Sequence, residues 1–529
     1  MKREPLLPSS DRDETDERTT ITNNNRSDCY LSSARVEWGT WFTVICTMAG
    51  TGILQLPLTL KQGGWIGLAL IVMIAAMTNT TGKWLIHCLY RGQHRLGGYP
   101  DIGEEAFGRT GRIVVHVFHK ATLLGVTTIF LILAGKFLTE GIGGQGDGFF
   151  KDLNSGGEDS STWTKRWTII SACIVAIPVI SFKTIGEIAP LAAFGLSASV
   201  LCVLEIVAFC IVIGQMDRAQ AENYDLPIPD DWDHPGMHNT VSYQVFSGSG
   251  FASAFAAITL SFGGHAVFPT IERHMTRREK FSHTFDVSYL ALVIMYLAAS
   301  FAGYYTFGDA TYSPVLCNFP RDTSTAMGAI TALTKLVIAL HVMSAYPILL
   351  VTAASEIEAA IGIGNKDVPL SGRRHRRHRH GDDEENNLTS SSSSSSGDDA
   401  LNHNQEEDSP VTQGIHMTPV VSKSRAQISW KTFFYRTLLR LTLVGTTCSV
   451  AVFVPYFAQV MELVGALCLT MIVFVLPVLF TWKLRGDTMG LLSKFWGVCI
   501  IAAGLTGGTI GSIQAVSDII SKLKSGDTQ

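Results

Sequence analysis

Two short runs hold the residue types from which a binding site can be built inside an apolar chain. Residues 41–65 read WFTVICTMAGTGILQLPLTLKQGGW, with Gly50, Thr51 and Gly52 near the middle and Pro57 shortly after. Residues 251–272 read FASAFAAITLSFGGHAVFPTIE, where Gly263, Gly264 and Pro269 repeat the grammar. Glycine favours unwinding and proline removes a backbone donor, so each run is expected to be a helix in two halves. Opened peptide groups are chemistry in themselves. N–H groups freed near Gly52–Ile53 sit at a helix start and favour an anion. Carbonyls freed near Ser261–Phe262 sit at a helix end and favour a cation. The two together suit a small zwitterion, an amino acid, and the expected binding residues are Ala49, Gly50, Thr51 and Gly52 with Ser261, Phe262, Gly263 and Gly264.

Ionisable groups within apolar runs are costly and mark ion pathways or buried pairs. Glu205 lies in SVLCVLEIVAFC and is the most deeply embedded acid, a protonatable or ion-pairing candidate. His265 adjoins the second break; its ordinary range would let it titrate in an acidic compartment, and the plainer reading is a donor to freed carbonyls. His341 and Lys335 share one helix without sharing a face. Lys335 is read as snorkelling to the outer interface, with a fixed charge in place of sodium as the other role. Glu462, Lys136 and Glu140 are placed at outer span ends, and His87, His116 and His119 near inner ends, where they are given no role.

The elements that must hold these residues are membrane helices. Of 529 residues 47% are hydrophobic and only 16% charged, with formal net charge −4 and mean hydropathy +0.24. Soluble domains run near a quarter charged, and no global basic field points to nucleic acid. A helix needs about 20 apolar residues to cross a bilayer. Eleven stretches qualify, roughly 38–60, 64–90, 113–140, 166–182, 187–214, 249–270, 284–307, 325–352, 432–454, 456–482 and 488–515. The two interrupted runs are first and sixth, five apart, so spans one to five and six to ten would form an inverted pair of halves with one helix appended. Interruptions at matching places of two halves are the best sequence pointer to a transporter's central site. Arg91, Arg95, Arg109, Arg112 and Lys120, then Arg273, Arg277, Arg278 and Lys280, then Lys483 and Arg485 share one side. Lys and Arg favour the cytoplasm, so the N-terminus is expected there.

Two segments lie outside the membrane pattern. Residues 1–35 are polar, read as a disordered cytoplasmic tail and not as a signal peptide. About 353–430 carries RRHRRHRH at 373–380, GDDEE and the run Ser390–Ser396, a low-complexity cytoplasmic insert that could meet anionic lipid or cytosolic partners. That divides the chain into 1–35, membrane spans one to eight over 36–352, the insert, spans nine to eleven over 431–516, and a short tail 517–529 outside or in a lumen. The sequons at Asn25 and Asn387 fall on the cytoplasmic side, where glycosylation is not expected. Leu6-Leu7 is only a faint sorting signal. Seven of the ten cysteines sit in apolar runs and behave as small hydrophobes.

The chain resembles the amino acid/auxin permease family of secondary transporters. The likeness is carried by GTGILQLPLTLKQGGW (50–65), GYPDIGEEAFGRTGR (98–112), LSFGGHAVFPTI (260–271), FAGYYTFGD (301–309), HVMSAYP (341–347) and VPYFAQVMELVGAL (454–467), in order. The resemblance implies an all-α membrane protein of eleven transmembrane helices, a LeuT-like 5+5 inverted repeat plus one helix. It further implies cation-coupled amino-acid movement, with protons expected before sodium as the coupling ion. The long insert between spans eight and nine departs from the family pattern. No catalytic constellation competes: there is no GxxxxGK[ST] loop, no Cys/His spacing suited to a metal, and GLSAS at 195–199 departs from a nucleophile elbow. The expected function is a secondary active amino-acid transporter, neither an enzyme nor dependent on a cofactor. The second reading is a membrane amino-acid sensor that signals through its tail or insert.

Overall fold

The computed structural model describes residues 41, 44–45, 48–92, 94–142, 160–181, 189–216, 218–224, 226, 243–273, 275, 278–362 and 430–525. The N-terminal tail, both sequons, Leu6-Leu7, the basic tract and the serine run lie outside them. Nearly everything described is helix. Helix α1 is Gly52–Gly63, preceded by helical residues up to Met48 and a bend at Ala49–Gly50. Then come α2 (Ile66–Cys88), α3 (Tyr99–Ile142), α4 (Ser160–Ser181) and α5 (Ala189–Ile213). The second half runs α6 (Phe251–Ser261), α7 (Phe268–Arg273), α8 (Phe281–Phe307), α9 (Ala326–Ile361) and α10 (Trp430–Phe453). It continues with α11 (Phe457–Leu463), a π-helical stretch Val464–Val475 and α12 (Leu476–Arg485), before the closing α13 (Leu491–Ser525).

Among the described residues nine helices are by themselves long and apolar enough to cross a membrane. The expected eleven therefore rests on the two interrupted segments. Those segments stand first in each run of five, and α13 follows both, which is the expected order of elements. Within α3 the non-helical Phe107 and Gly108 divide a short leading helix, 99–106, from the long one at 109–142 that starts close to the expected 113; Gly108 takes φ +65°, a conformation that favours glycine. Two boundaries move. Helix α9 runs to Ile361, past the expected boundary at 352, through AASEIEAAI, whose residues are mostly good helix formers. Helix α13 runs to Ser525, so most of the tail expected at 517–529 is helix.

Small residues set the packing. A Cβ on Gly507 would fall 2.4 Å from the Phe255 ring, and one on Gly508 2.5 Å from Thr470 Oγ1. The glycine-rich face of α13 thus lies directly on α6 and the π-helical stretch, the close approach that membrane helices use where water supplies no hydrophobic drive. Large apolar side chains such as Leu201, Leu204, Ile211 and Leu290 face outward. That is the pattern of helices solvated by lipid. A two-stranded hairpin, β1 (Tyr90–Arg91) with β2 (His94–Arg95), joins α2 to α3 on the Arg-rich side.

Candidate functional site

The two interruptions meet. A Cβ on Gly52 would lie 2.6 Å from Ser261 Oγ and 2.9 Å from Ser261 Cα, so no other residue fits there. Farther along, Gly63 faces Ala254 at 3.3 Å, and Gly250 faces the backbone of Gln62. Residue numbers rise along α1 as they fall along α6, so the paired halves run antiparallel. Their polarity follows. Helix α1 starts with its N-cap, Thr51, making no side-chain cap bond, and the first N–H groups of a helix have no intrahelical acceptor. Helix α6 ends beside that point, its Ser261 carbonyl turned to the same junction.

Tyr296 of α8 ties the junction together. Its hydroxyl lies 2.7 Å from both the Met48 and the Ser261 carbonyl oxygens, one from each break, and its single proton is shared between them. The ring is fully buried and sits 4.9 Å from Phe262, which also stacks on Tyr289 at 5.8 Å. No sequence signal marked Tyr296 or Tyr289, since both sit in an ordinary apolar run. Leu469 closes another side: a Cβ on Gly263 would fall 2.7 Å from its Cδ1. Of the eight expected binding residues, Ala49, Thr51, Gly52, Ser261, Phe262 and Gly264 are buried, and Gly50 and Gly263 are half-buried.

The expected ion-coupling residues are not brought to one place. His341 does reach the site, with Nε2 3.7 Å from where a Gly50 Cβ would sit. His265 turns away to α2, its Nε2 2.9 Å from Thr81 Oγ1. Glu205 is buried in the neighbourhood of Thr331, Thr334 and Lys335, apart from the junction. Lys335 does not snorkel. It is 2% exposed and pairs with Glu140 at 2.9 Å, because helix α3 brings a carboxylate within reach and an ion pair inside the protein replaces hydration. Glu140 is thereby paired within the protein, and Glu462 is completely buried with Oε1 accepting from Gln62 Nε2 at 2.8 Å.

The two faces differ. On the face away from the Arg-rich loops a cavity of about 940 Å³ is bordered by Lys61 and Gln62 of α1, Lys136 and Glu140 of α3, Arg321 and Phe457. On the Arg-rich face, contacts bind α7 down. Arg95 pairs with the buried Glu272 at 2.7 Å and donates to the Pro269 carbonyl at 2.6 Å, and Tyr90 donates to Glu272. Burial and then the Glu272 carboxylate hold the Tyr90 phenol above its ordinary range, so it stays a donor. His119, given no role from sequence, accompanies them: Nε2 lies 2.9 Å from the Ala266 carbonyl inside the second break.

Comparison with known proteins bears on these elements as a set. The profile described as transmembrane amino acid transporter protein matches residues 36–517, nearly the whole chain. Among relatives, amino acid transporter AVT1I of Arabidopsis thaliana is 26% identical over 56% of this chain and 66% of its own length, just under two thirds. Amino acid transporter AVT1E of the same plant is 24% identical over 90% of this chain and 72% of its own. A solved structure of a Na+-coupled sialic acid symporter covers 90% of this chain and 89% of its own at 12% identity and TM-score 0.46, too distant to carry an argument. The matched span takes in both interrupted helices and all the helices packed on them, and the chain belongs to the transmembrane amino acid transporter family.

Proposed function

We propose that this protein is a secondary active transporter that moves amino acids across a membrane, coupled to protons, by alternating access around its two interrupted helices. The observation that carries the reading is the antiparallel contact of α1 and α6 at Gly52 and Ser261, where opposite helix polarities face one junction. A carboxylate suits the start of α1 and an ammonium suits the carbonyls near Ser261. Family membership and relatives named amino acid transporters support the substrate class. A cavity bordered by Lys61 and Gln62 of α1 lies on one face, and α7 is held down on the other, as alternating access around these helices would use. Protons are favoured over sodium by the resemblance to the amino acid/auxin permease family.

Loop charge puts the Arg-rich face in the cytoplasm with the N-terminus, in a vacuolar, lysosomal or plasma membrane. Uptake of a panel of amino acids into proteoliposomes, under separate proton and sodium gradients, tests the proposal. Accumulation driven by the proton gradient is expected. Binding without accumulation under either gradient would replace the transporter with a sensor, and accumulation under sodium alone would overturn the coupling ion.

A further inference from the structure

We infer that His119 and Glu356 form the site that holds the coupling proton and that this site latches the second break on the Arg-rich face. The inference rests on the proton-coupled reading above and adds where the proton resides. His119 is 2% exposed and its ring is bracketed by two acceptors. Nε2 lies 2.9 Å from the Ala266 carbonyl, between Gly264 and α7, and Nδ1 lies 3.3 Å from Glu356 Oε2 on α9. A neutral imidazole has one N–H. It can donate to the carbonyl or to the carboxylate, and the remaining nitrogen then points a lone pair at an oxygen. Only a second proton satisfies both contacts. The groups facing the pair decide which partner carries it. Lys120 Nζ stands 3.3 Å from the same Glu356 oxygen and donates at 2.7 Å to His116 Nδ1, which is 3.6 Å from Glu356. The edge of Tyr99 completes the surround at 6.3 Å between centroids, its own hydroxyl engaged with the Ile472 carbonyl. Lys120 favours an ionised Glu356, so the added proton belongs on His119.

The location gives that proton leverage. His119 is on α3, Glu356 on α9 and Ala266 in the interruption between α6 and α7, so one proton joins three elements. When it leaves, one nitrogen keeps its N–H and the other turns a lone pair on its oxygen, so one of the two contacts, to Glu356 or to Ala266, is lost. Proton binding therefore favours the state closed on this face, and proton loss favours parting, which is the differential affinity that coupling requires.

Full-length protein in proteoliposomes tests the assignment. With one proton per substrate, a gradient of one pH unit supports about tenfold accumulation. His119→Gln keeps a donor for the Ala266 carbonyl but takes no second proton. Its accumulation is expected to fall to about onefold, while exchange of labelled substrate continues with a flattened pH profile. Glu356→Gln, as an independent variant, is expected to lose gradient-driven accumulation too. Gradient-driven accumulation at the wild-type level in both folded variants would overturn the site while leaving proton coupling standing. A wild-type protein indifferent to the pH gradient would overturn both.

Discussion

Gly52 shows how much can turn on one missing methyl group. A Gly52→Val protein must push Ser261 aside at backbone level, since the added Cβ falls 2.9 Å from Ser261 Cα. Overpacking of that kind costs about 1–3 kcal/mol, which a large membrane domain survives and a binding junction does not. Uptake should vanish while expression and solubilisation stay near wild type; wild-type uptake would show that the junction is not where substrate binds. Tyr296→Phe probes the same place from the other side. It leaves the Met48 and Ser261 carbonyls buried without a donor, a penalty of about 1–3 kcal/mol. A lower melting temperature in detergent and slower uptake are expected, and an unchanged protein in both respects would demote Tyr296 to packing. The glycines were legible in the sequence because a break needs them. Tyr296 was not, because nothing local distinguishes a tyrosine that reaches two carbonyls from one that fills a gap.

Between helices the decisive pairings are ionic and hidden. Lys335 and Glu140 join α9 to α3, and neither helix advertises its partner. Lys335→Met removes the nearest cation from a carboxylate that Lys136 and Arg321 still face, so the loss should fall below the about 3–5 kcal/mol of a buried pair broken with no other cation at hand. Combining it with Glu140→Gln should restore much of that stability, because removing both charges is far less costly than removing one. Thermal unfolding of the three variants in detergent measures this; equal destabilisation in single and double variants would mean that the two residues are not coupled. The sequence marked both residues as charges within apolar runs. It erred about their surroundings because snorkelling and pairing begin from the same isolated charge in an apolar run. His119 illustrates the opposite error, a residue discounted for its position near a span end that proves to touch the second break.

Across the whole molecule, the membrane domain is continuous in space though interrupted in sequence by residues 363–429. The close packing of α13 on α6, and the contacts of α10 with α9 such as Tyr346 to Thr447 at 2.7 Å, join the parts before and after that insert. Replacing 363–429 with a short flexible linker should therefore leave uptake in proteoliposomes unchanged. Loss of uptake on that replacement would tie the insert to transport itself, and intact uptake with altered signalling in cells would give it a regulatory role.

Composition and hydrophobic run length determined the class of protein, the approximate positions of the helices and the two places where they come apart, because bilayer solvation and backbone freedom are local properties of a stretch of chain. Even the pairing of the two breaks was readable, through their equal station in two runs of five. Only the tertiary structure decided which charges neutralise one another, which tyrosine bridges the breaks, and that Val464–Val475 winds as a π-helix beside Gly263. Those facts depend on distances between residues hundreds of positions apart, and a side chain's energy inside a membrane is set by the partner it meets there.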